Sequence, residues 1–233
     1  MKAMILAAGR GERMRPLTDN CPKPLLKVKG IPLIEYHIRR LVKAGIQDIV
    51  INHAWLGQQI VDHLGCGKEF SANISYSEEP VALETAGGII KALPMLAEQD
   101  TDVFMVINGD IYCDFDLINI PKLRSECNAH LLLVENPEHN LSGDFQLEAG
   151  LLANPKNNQQ TTYTFSGIAL YRKSFFRQNT TEQQAELMQS QSVRPLAPML
   201  RAAADKHTVS ANVINNAWTD VGTPERLAKL NAI

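Results

Sequence analysis

The chain has 233 residues, a formal net charge of −2 at neutral pH and four cysteines, Cys21, Cys66, Cys113 and Cys127. That length supports one substantial α/β domain, the charge leaves no basic footprint for nucleic acid, and no apolar run approaches the ~20 residues of a membrane span. The cysteines lack C-x-x-C pairing, which argues for reduced thiols in cytoplasm, and Met1-Lys2-Ala3 runs into a strand without a signal peptide.

In chain order, Lys2 to Leu6 is a short apolar run of the kind a buried strand shows. It empties into Gly9-Arg10-Gly11. Glycine has no Cβ, so backbone there can approach a ligand closely, and successive N–H groups in such a loop form an anion-binding nest. Arg13, Arg15 and Lys23 add three cations within eleven residues, enough to suit a triphosphate. Ile31 to Ala44 places Leu33, Ile34, Ile38, Leu41 and Val42 at helical spacing, with Pro32 suited to the first turn and Gly45 to the stop. Asp48 to Asn52 reads as a strand, Gln58 to Leu64 as a short helix and Asn73 to Ser77 as a strand. Glu84 to Leu93 reads as a helix with Thr85 able to cap it, and Val103 to Ile107 as another buried strand. This alternation predicts a Rossmann-like, mostly parallel sheet with helices on both faces.

The second half changes character. Ala129 to Val134, Phe145 to Leu147 and Thr162 to Tyr171 are strand-like, separated by turn-rich stretches at Glu135 to Gly143 and Ala153 to Gln160. They predict an antiparallel extension that walls a pocket. Pro195 to Lys206 reads as a helix, Val209 to Ile214 as a strand and Pro224 to Leu230 as a closing helix. The asparagine- and glutamine-rich patches Asn154 to Gln160 and Gln183 to Gln191 are expected to be surface loops or helix faces.

In open parallel sheets, ligands bind outside the carboxyl ends of the strands. The Gly9 loop, Asn52-His53 and Asn108-Gly109-Asp110 each follow a predicted strand, so polar groups converge on one edge. A second acidic segment, Trp218-Thr219-Asp220-Val221-Gly222-Thr223, follows the late strand. Alone, Asp110 and Asp220 are ordinary turn or cap residues. Together they match Mg²⁺ on a triphosphate, which takes one or two protein carboxylates and leaves other positions to phosphate and water. Two familiar phosphate loops do not fit. Met14 stands where the dinucleotide fingerprint needs its third glycine, and Asn52 where it needs an acid; Gly67-Lys68 is followed by Glu69 where a P-loop needs serine or threonine. His53 and His63 lack a third partner at zinc spacing. Trp55 and Trp218 read as packing residues, and Tyr163 and Phe165 as one side of a core.

The segment Gly9 to Thr18, followed by Pro22-Lys23-Pro24, resembles the signature G-x-G-x-R-[ML]-x-P-x-T plus a proline-flanked lysine of the sugar-nucleotide pyrophosphorylases. These nucleotidyltransferases join a nucleoside triphosphate to a sugar 1-phosphate. Glu84-Thr-Ala-Gly-Gly88 is similar to that family's nucleobase segment. The strings INHAWLGQQI, LETAGGIIKALP, SGDFQL and FSGIAL look more narrowly like its N-acetylmuramate 1-phosphate uridylyltransferases of bacterial cell-wall recycling. The resemblance implies that Ala8, Gly9, Gly11, Glu12, Arg13, Lys23, Glu84 and Gly87 bind the nucleotide, with Lys23 and Arg13 catalytic. It further implies Asp110 and Asp220 as Mg²⁺ ligands, and Asn108 and Asp144 as sugar contacts. The substrates expected are UTP and a sugar 1-phosphate, with guanylyl or thymidylyl transfer to mannose or glucose 1-phosphate, and a non-catalytic sensing subunit, as the alternatives. Residues 1–233 are expected to form one domain, the nucleotide half ending near residue 115 and the sugar half following. With no hexapeptide repeat before Ile233, a fused acyltransferase is not expected. A cytoplasmic monomer or small homo-oligomer is expected, with no nucleic acid or membrane partner.

Overall fold

Strands made of largely apolar runs must be covered on both faces, and three such strands lie side by side in this molecule. The computed structural model describes residues 1–156, 161–178 and 193–232; the patch at 183–191 and the end of the patch at 154–160 lie outside these. Strand β1 (Ala3–Leu6) lies between β4 (Asp48–His53) and β6 (Val103–Asn108), parallel to both and in register from Ala3 opposite Ile49 and Met105. Outside β4 runs β5 (Asn73–Glu78), also parallel. Alternate side chains enter two cores. Met4, Val50 and Phe104 face one, and Ile5, Ile51 and Met105 face the other.

Helix α1 (Leu33–Lys43) covers the second face with Ile34, Ile38 and Leu41, joined by α2 (Gly57–Leu64) through Ile60. Helix α3 (Glu84–Leu96) covers the first face with Ala86, Ile89 and Leu93. Residues Ile31–Pro32, expected inside the first helix, instead form strand β3, paired antiparallel with β2 (Lys27–Val28). The helix begins at Leu33 because this small hairpin takes the preceding backbone. Helix α3 runs past Leu93 and includes Pro94. Thr85 does not cap it: Leu83 precedes the helix without a side-chain cap, and the Ala86 and Gly87 N–H groups donate to the Arg194 carbonyl at 3.0 and 3.1 Å. Two N–H groups of the first turn are therefore already paired.

The antiparallel extension belongs to the same sheet. Strand β11 (Thr164–Arg172) pairs antiparallel with β6 and with β8 (Ala129–Val134), and β12 (Val209–Val213) is parallel to β8. The edge is completed by β10 (Leu151–Ala153) and β9 (Gln146–Glu148), giving nine strands in the order β5-β4-β1-β6-β11-β8-β12-β10-β9. Helices α4 (Lys173–Gln178) and α5 (Ala197–Asp205) extend the first core through Phe175, Phe176 and Leu200. A separate two-stranded ribbon pairs β7 (Ile111–Cys113) with β13 (Trp218–Asp220). A small third core of Met14, Leu26, Val28, Leu33, Val221 and Leu227 ties the signature loop to α6 (Pro224–Ala232). Among the described residues no helix is long and apolar enough to cross a membrane.

Candidate active site

At the carboxyl ends of β1, β4 and β6 lies an open cavity of about 470 Å³. Its lining includes Ala8, Gly9, Gly11, Glu12, Arg13, Lys23, Glu84, Asn108 and Asp110, so parallel strands do deliver the predicted residues to one edge. Gly11 holds φ at +69°, and Thr18 Oγ1 donates to its carbonyl at 2.8 Å, which closes the signature loop. Met14 is fully buried and anchors the loop from below. Arg15 turns away from the cavity to pair with Asp19 at 2.6 Å; it is not the third phosphate-facing cation. Trp55 is 40% exposed and is no core residue. Its ring carries the Arg10 guanidinium 4.2 Å from the centroid, and its Nε1 donates to the Thr18 carbonyl at 3.3 Å, so it braces the loop from outside.

Lys23 is almost wholly buried, and its Nζ reaches Asp110 Oδ2 at 2.6 Å. Gly87 is buried within α3 and does not reach the cavity surface; Thr85 and Glu84 do. Glu84 sits at φ +62°, in the left-handed region. On the same wall is a buried relay that the sequence did not announce. The Ala7 N–H donates to Asn52 Oδ1 at 2.9 Å, Asn52 Nδ2 donates to Glu79 Oε1 at 2.7 Å, and the Leu83 N–H donates to Glu79 Oε2 at 2.9 Å. The relay ties β1, β4, β5 and the start of α3 into one rim. Gly88 leaves room for it, since a Cβ there would lie 2.6 Å from Glu79 Oε1 and 2.8 Å from Asn52 Nδ2. That need was the available signal: two adjacent glycines in a helix cost roughly 1 kcal/mol each and point to something pressed against them.

A second cavity of about 340 Å³ shares Asn108 and Asp110 with the first, and adds His139, Asn140, Asp144, Phe165, Ser166, Trp218 and Asp220. The Asp144 carboxylate is fixed by the Phe165 N–H at 2.9 Å and Asn140 Nδ2 at 3.1 Å. Strand β11 changes register against β8 between Phe165 and Ala169. Gly167 in this bulge opens no space beside a ligand, because a Cβ there would fall 2.7 Å from Asn108 Nδ2; the missing side chain is replaced by Asn108 itself. Phe165 and Trp218 are walls of this cavity and not simply core, and Trp218 Nε1 donates to the Ser166 carbonyl at 2.8 Å.

The β7–β13 ribbon brings the two predicted metal ligands together. Asp220 pairs with Ile111, and the Val221 N–H donates to the Asp110 carbonyl at 2.7 Å. Asp220 Oδ1 contacts Arg226 Nη1 and lies 3.0 Å from His139 Nε2. A Cβ at Gly222 would come within 3.1 Å of Asp220 Oδ2, so the glycine leaves space beside that oxygen. Asp110, which borders both cavities, and Asp220, which borders the second, suit a hard cation that shares its coordination with phosphate oxygens and water. Elsewhere, His53 is buried against the Tyr76 ring, and His63 Nε2 lies 3.0 Å from Glu35.

Known proteins resemble this chain in sequence and in fold. The chain is 48% identical to N-acetylmuramate alpha-1-phosphate uridylyltransferase of Neisseria meningitidis serogroup B over 238 aligned residues, covering 100% of this chain and 98% of the relative. It is 36% identical to UTP–glucose-1-phosphate uridylyltransferase of a Synechocystis species over 138 residues, which is 55% of this chain and 35% of that protein. In fold it resembles a putative glucose-1-phosphate thymidylyltransferase from Bacillus anthracis, with a TM-score of 0.83 at 23% identity, covering 100% of this chain and 94% of that one. A model of the nucleotidyl transferase family matches residues 2–233, and the chain belongs to that family.

Proposed function

We propose that the protein transfers UMP from UTP to N-acetylmuramate 1-phosphate, forming the UDP-sugar and pyrophosphate in the cytoplasmic recycling of cell-wall sugars. The observation that carries this reading is the shared wall: Asn108 and Asp110 border both cavities, so a nucleotide in one and a sugar phosphate in the other meet there. The choice of base and sugar follows the 48% identical uridylyltransferase.

The chemistry is an in-line displacement at the α-phosphorus. An oxygen of the sugar 1-phosphate forms the new P–O bond, the bond to the β-phosphate's bridging oxygen breaks, and pyrophosphate leaves with the electron pair. No protein nucleophile is needed; the work is positioning and charge stabilisation. The N–H groups and Arg13 of the signature loop hold the triphosphate. Lys23, confined by burial, offers its ammonium to the charge growing at the α-phosphate. Asp110 and Asp220 would hold Mg²⁺, whose charge screens the repulsion between the two anionic substrates. Asn108 and Asp144 contact the sugar. Glu84 and the Asn52–Glu79 relay frame the base.

The test is pyrophosphate release with UTP, GTP, CTP and dTTP against N-acetylmuramate, N-acetylglucosamine, glucose and mannose 1-phosphates. UTP with N-acetylmuramate 1-phosphate should be the best pair and glucose 1-phosphate poor. Equal or better turnover of mannose or glucose 1-phosphate would sink the muramate assignment and leave the transfer mechanism standing.

A further inference from the structure

Each of the two carboxylates, Asp110 and Asp220, is already matched by a cation of the chain. Lys23 holds Asp110 at 2.6 Å, and the Arg226 guanidinium contacts Asp220 Oδ1. The two cations are not equivalent. Lys23 lines the nucleotide cavity, whereas Arg226 reaches Asp220 from α6, behind the wall, and lines neither cavity. The Arg226 and Asp220 side chains are only 15% and 24% exposed, so solvent screens the pair weakly. His139 Nε2 lies 3.0 Å from the same Asp220 oxygen and 2.8 Å from Arg226 Nη1, which seats the guanidinium in a polar pocket. Gly222 makes room for it, since a Cβ there would lie 2.5 Å from Arg226 Nη2.

We propose that Arg226 is a built-in counter-ion that occupies Asp220 in the resting protein and yields it only when a divalent cation arrives together with a triphosphate. The proposal rests on Asp220 being a metal ligand. A cation arriving alone would have to break the Arg226 pair and leave a mostly buried guanidinium without an anion, which is costly. A triphosphate supplies anionic oxygens that a displaced guanidinium can share. Metal and nucleotide binding are then coupled, and each favours the state the other requires. If Asp220 is free in about one molecule in ten, the apparent dissociation constant for the lone metal rises about tenfold. Arg226 is thus a positioning residue that acts through Asp220.

The experiment measures Mn²⁺ bound to the whole protein by water-proton relaxation, with and without UTP. Without UTP, Arg226→Gln should bind Mn²⁺ about tenfold more tightly than wild type. Arg226→Lys, which keeps the charge, should stay near wild type, and the gain should vanish when Asp220→Asn is added. An Arg226→Gln protein with unchanged or weaker Mn²⁺ affinity overturns the proposal. Arg226→Met, which keeps the packed stem, serves the same comparison if the glutamine variant does not fold. Wild type gives a check that needs no variant: UTP should raise its uptake of Mn²⁺, and equal uptake with and without UTP overturns the coupling. Uptake that is absent even with UTP would instead remove the metal role of Asp220. Uptake that UTP raises, together with an Arg226→Gln affinity for Mn²⁺ alone equal to that of wild type, would remove the counter-ion and leave the metal role of Asp220.

Discussion

Lys23 and Glu84 show how single side chains divide the labour of the site. Lys23 is buried, paired with Asp110 and on the cavity wall, so its ammonium is held in place; in the proposed reaction that place is where charge develops. Lys23→Ala should lower kcat about 10²–10³-fold, the loss that follows removal of one preorganised charge contact. The KM for the nucleotide should change much less, because Arg13 and the loop N–H groups still hold the phosphates; an equal loss in both would make Lys23 a ground-state anchor. Glu84 carries the opposite signature. A non-glycine residue at φ +62° stores of order 1 kcal/mol of strain, and this one is exposed on the wall of the first cavity, where the proposed function puts the base. Glu84→Gly should therefore raise unfolding free energy by about 1 kcal/mol in a urea titration while relaxing the preference for UTP. A destabilised glycine variant would mean that the carboxylate makes contacts outweighing its backbone strain.

Elements, in turn, decide which residues meet. The Asn52–Glu79 relay joins the ends of three strands to α3, and Gly88 is the place where the helix backbone comes close enough to permit it. Gly88→Ala must push on two buried side chains that are hydrogen-bonded in place. It should cost about 1–3 kcal/mol of stability, as overpacking does, and should weaken nucleotide binding more than sugar phosphate binding. A variant with wild-type Tm and unchanged affinity for UTP would show that the rim can shift freely. This relay also marks the boundary of what the sequence discloses. Strands β1, β4 and β6 are legible as short, largely apolar runs, and helix α1 from apolar residues at helical spacing. The signature loop was legible because spacing alone encodes it. The β7–β13 ribbon, which makes neighbours of Asp110 and Asp220, has only three residues in each strand and no period to read. Glu79 lacks a local signal because its partners lie 27 residues earlier and 4 later. The role of Gly167 has no local signal for the same reason: the Asn108 side chain that fills its space comes from another strand.

Across the whole molecule the two halves of the chain are one structure, since β6 of the first half is paired directly with β11 of the second and both cores draw residues from each half. Stability lost anywhere in these cores is therefore felt by both cavities. Two histidines inside this common frame make it sensitive to acid. His37, on α1, is fully buried; that burial, reinforced by the nearby Arg40 charge, pushes its pKa down to about 3. His130, buried between β8 and β12 and bonded to Ser210 and Asn212, is also lowered, again mainly by burial. Both stay neutral in the folded state below the ordinary histidine value near ~6.5, whereas the unfolded chain takes up the proton. The unfolded state then binds more protons, so stability falls as pH falls, beginning near ~6.5 and continuing for His37 down to about 3. Between pH 7 and pH 5, His37 alone should account for about 2 kcal/mol of that loss. His37→Leu, which keeps the site apolar, should shrink the difference in unfolding free energy between those two pH values by about this amount. The measurement is a pair of urea titrations on each protein, and a pH difference unchanged by the substitution would show that the acid limb is set by other groups.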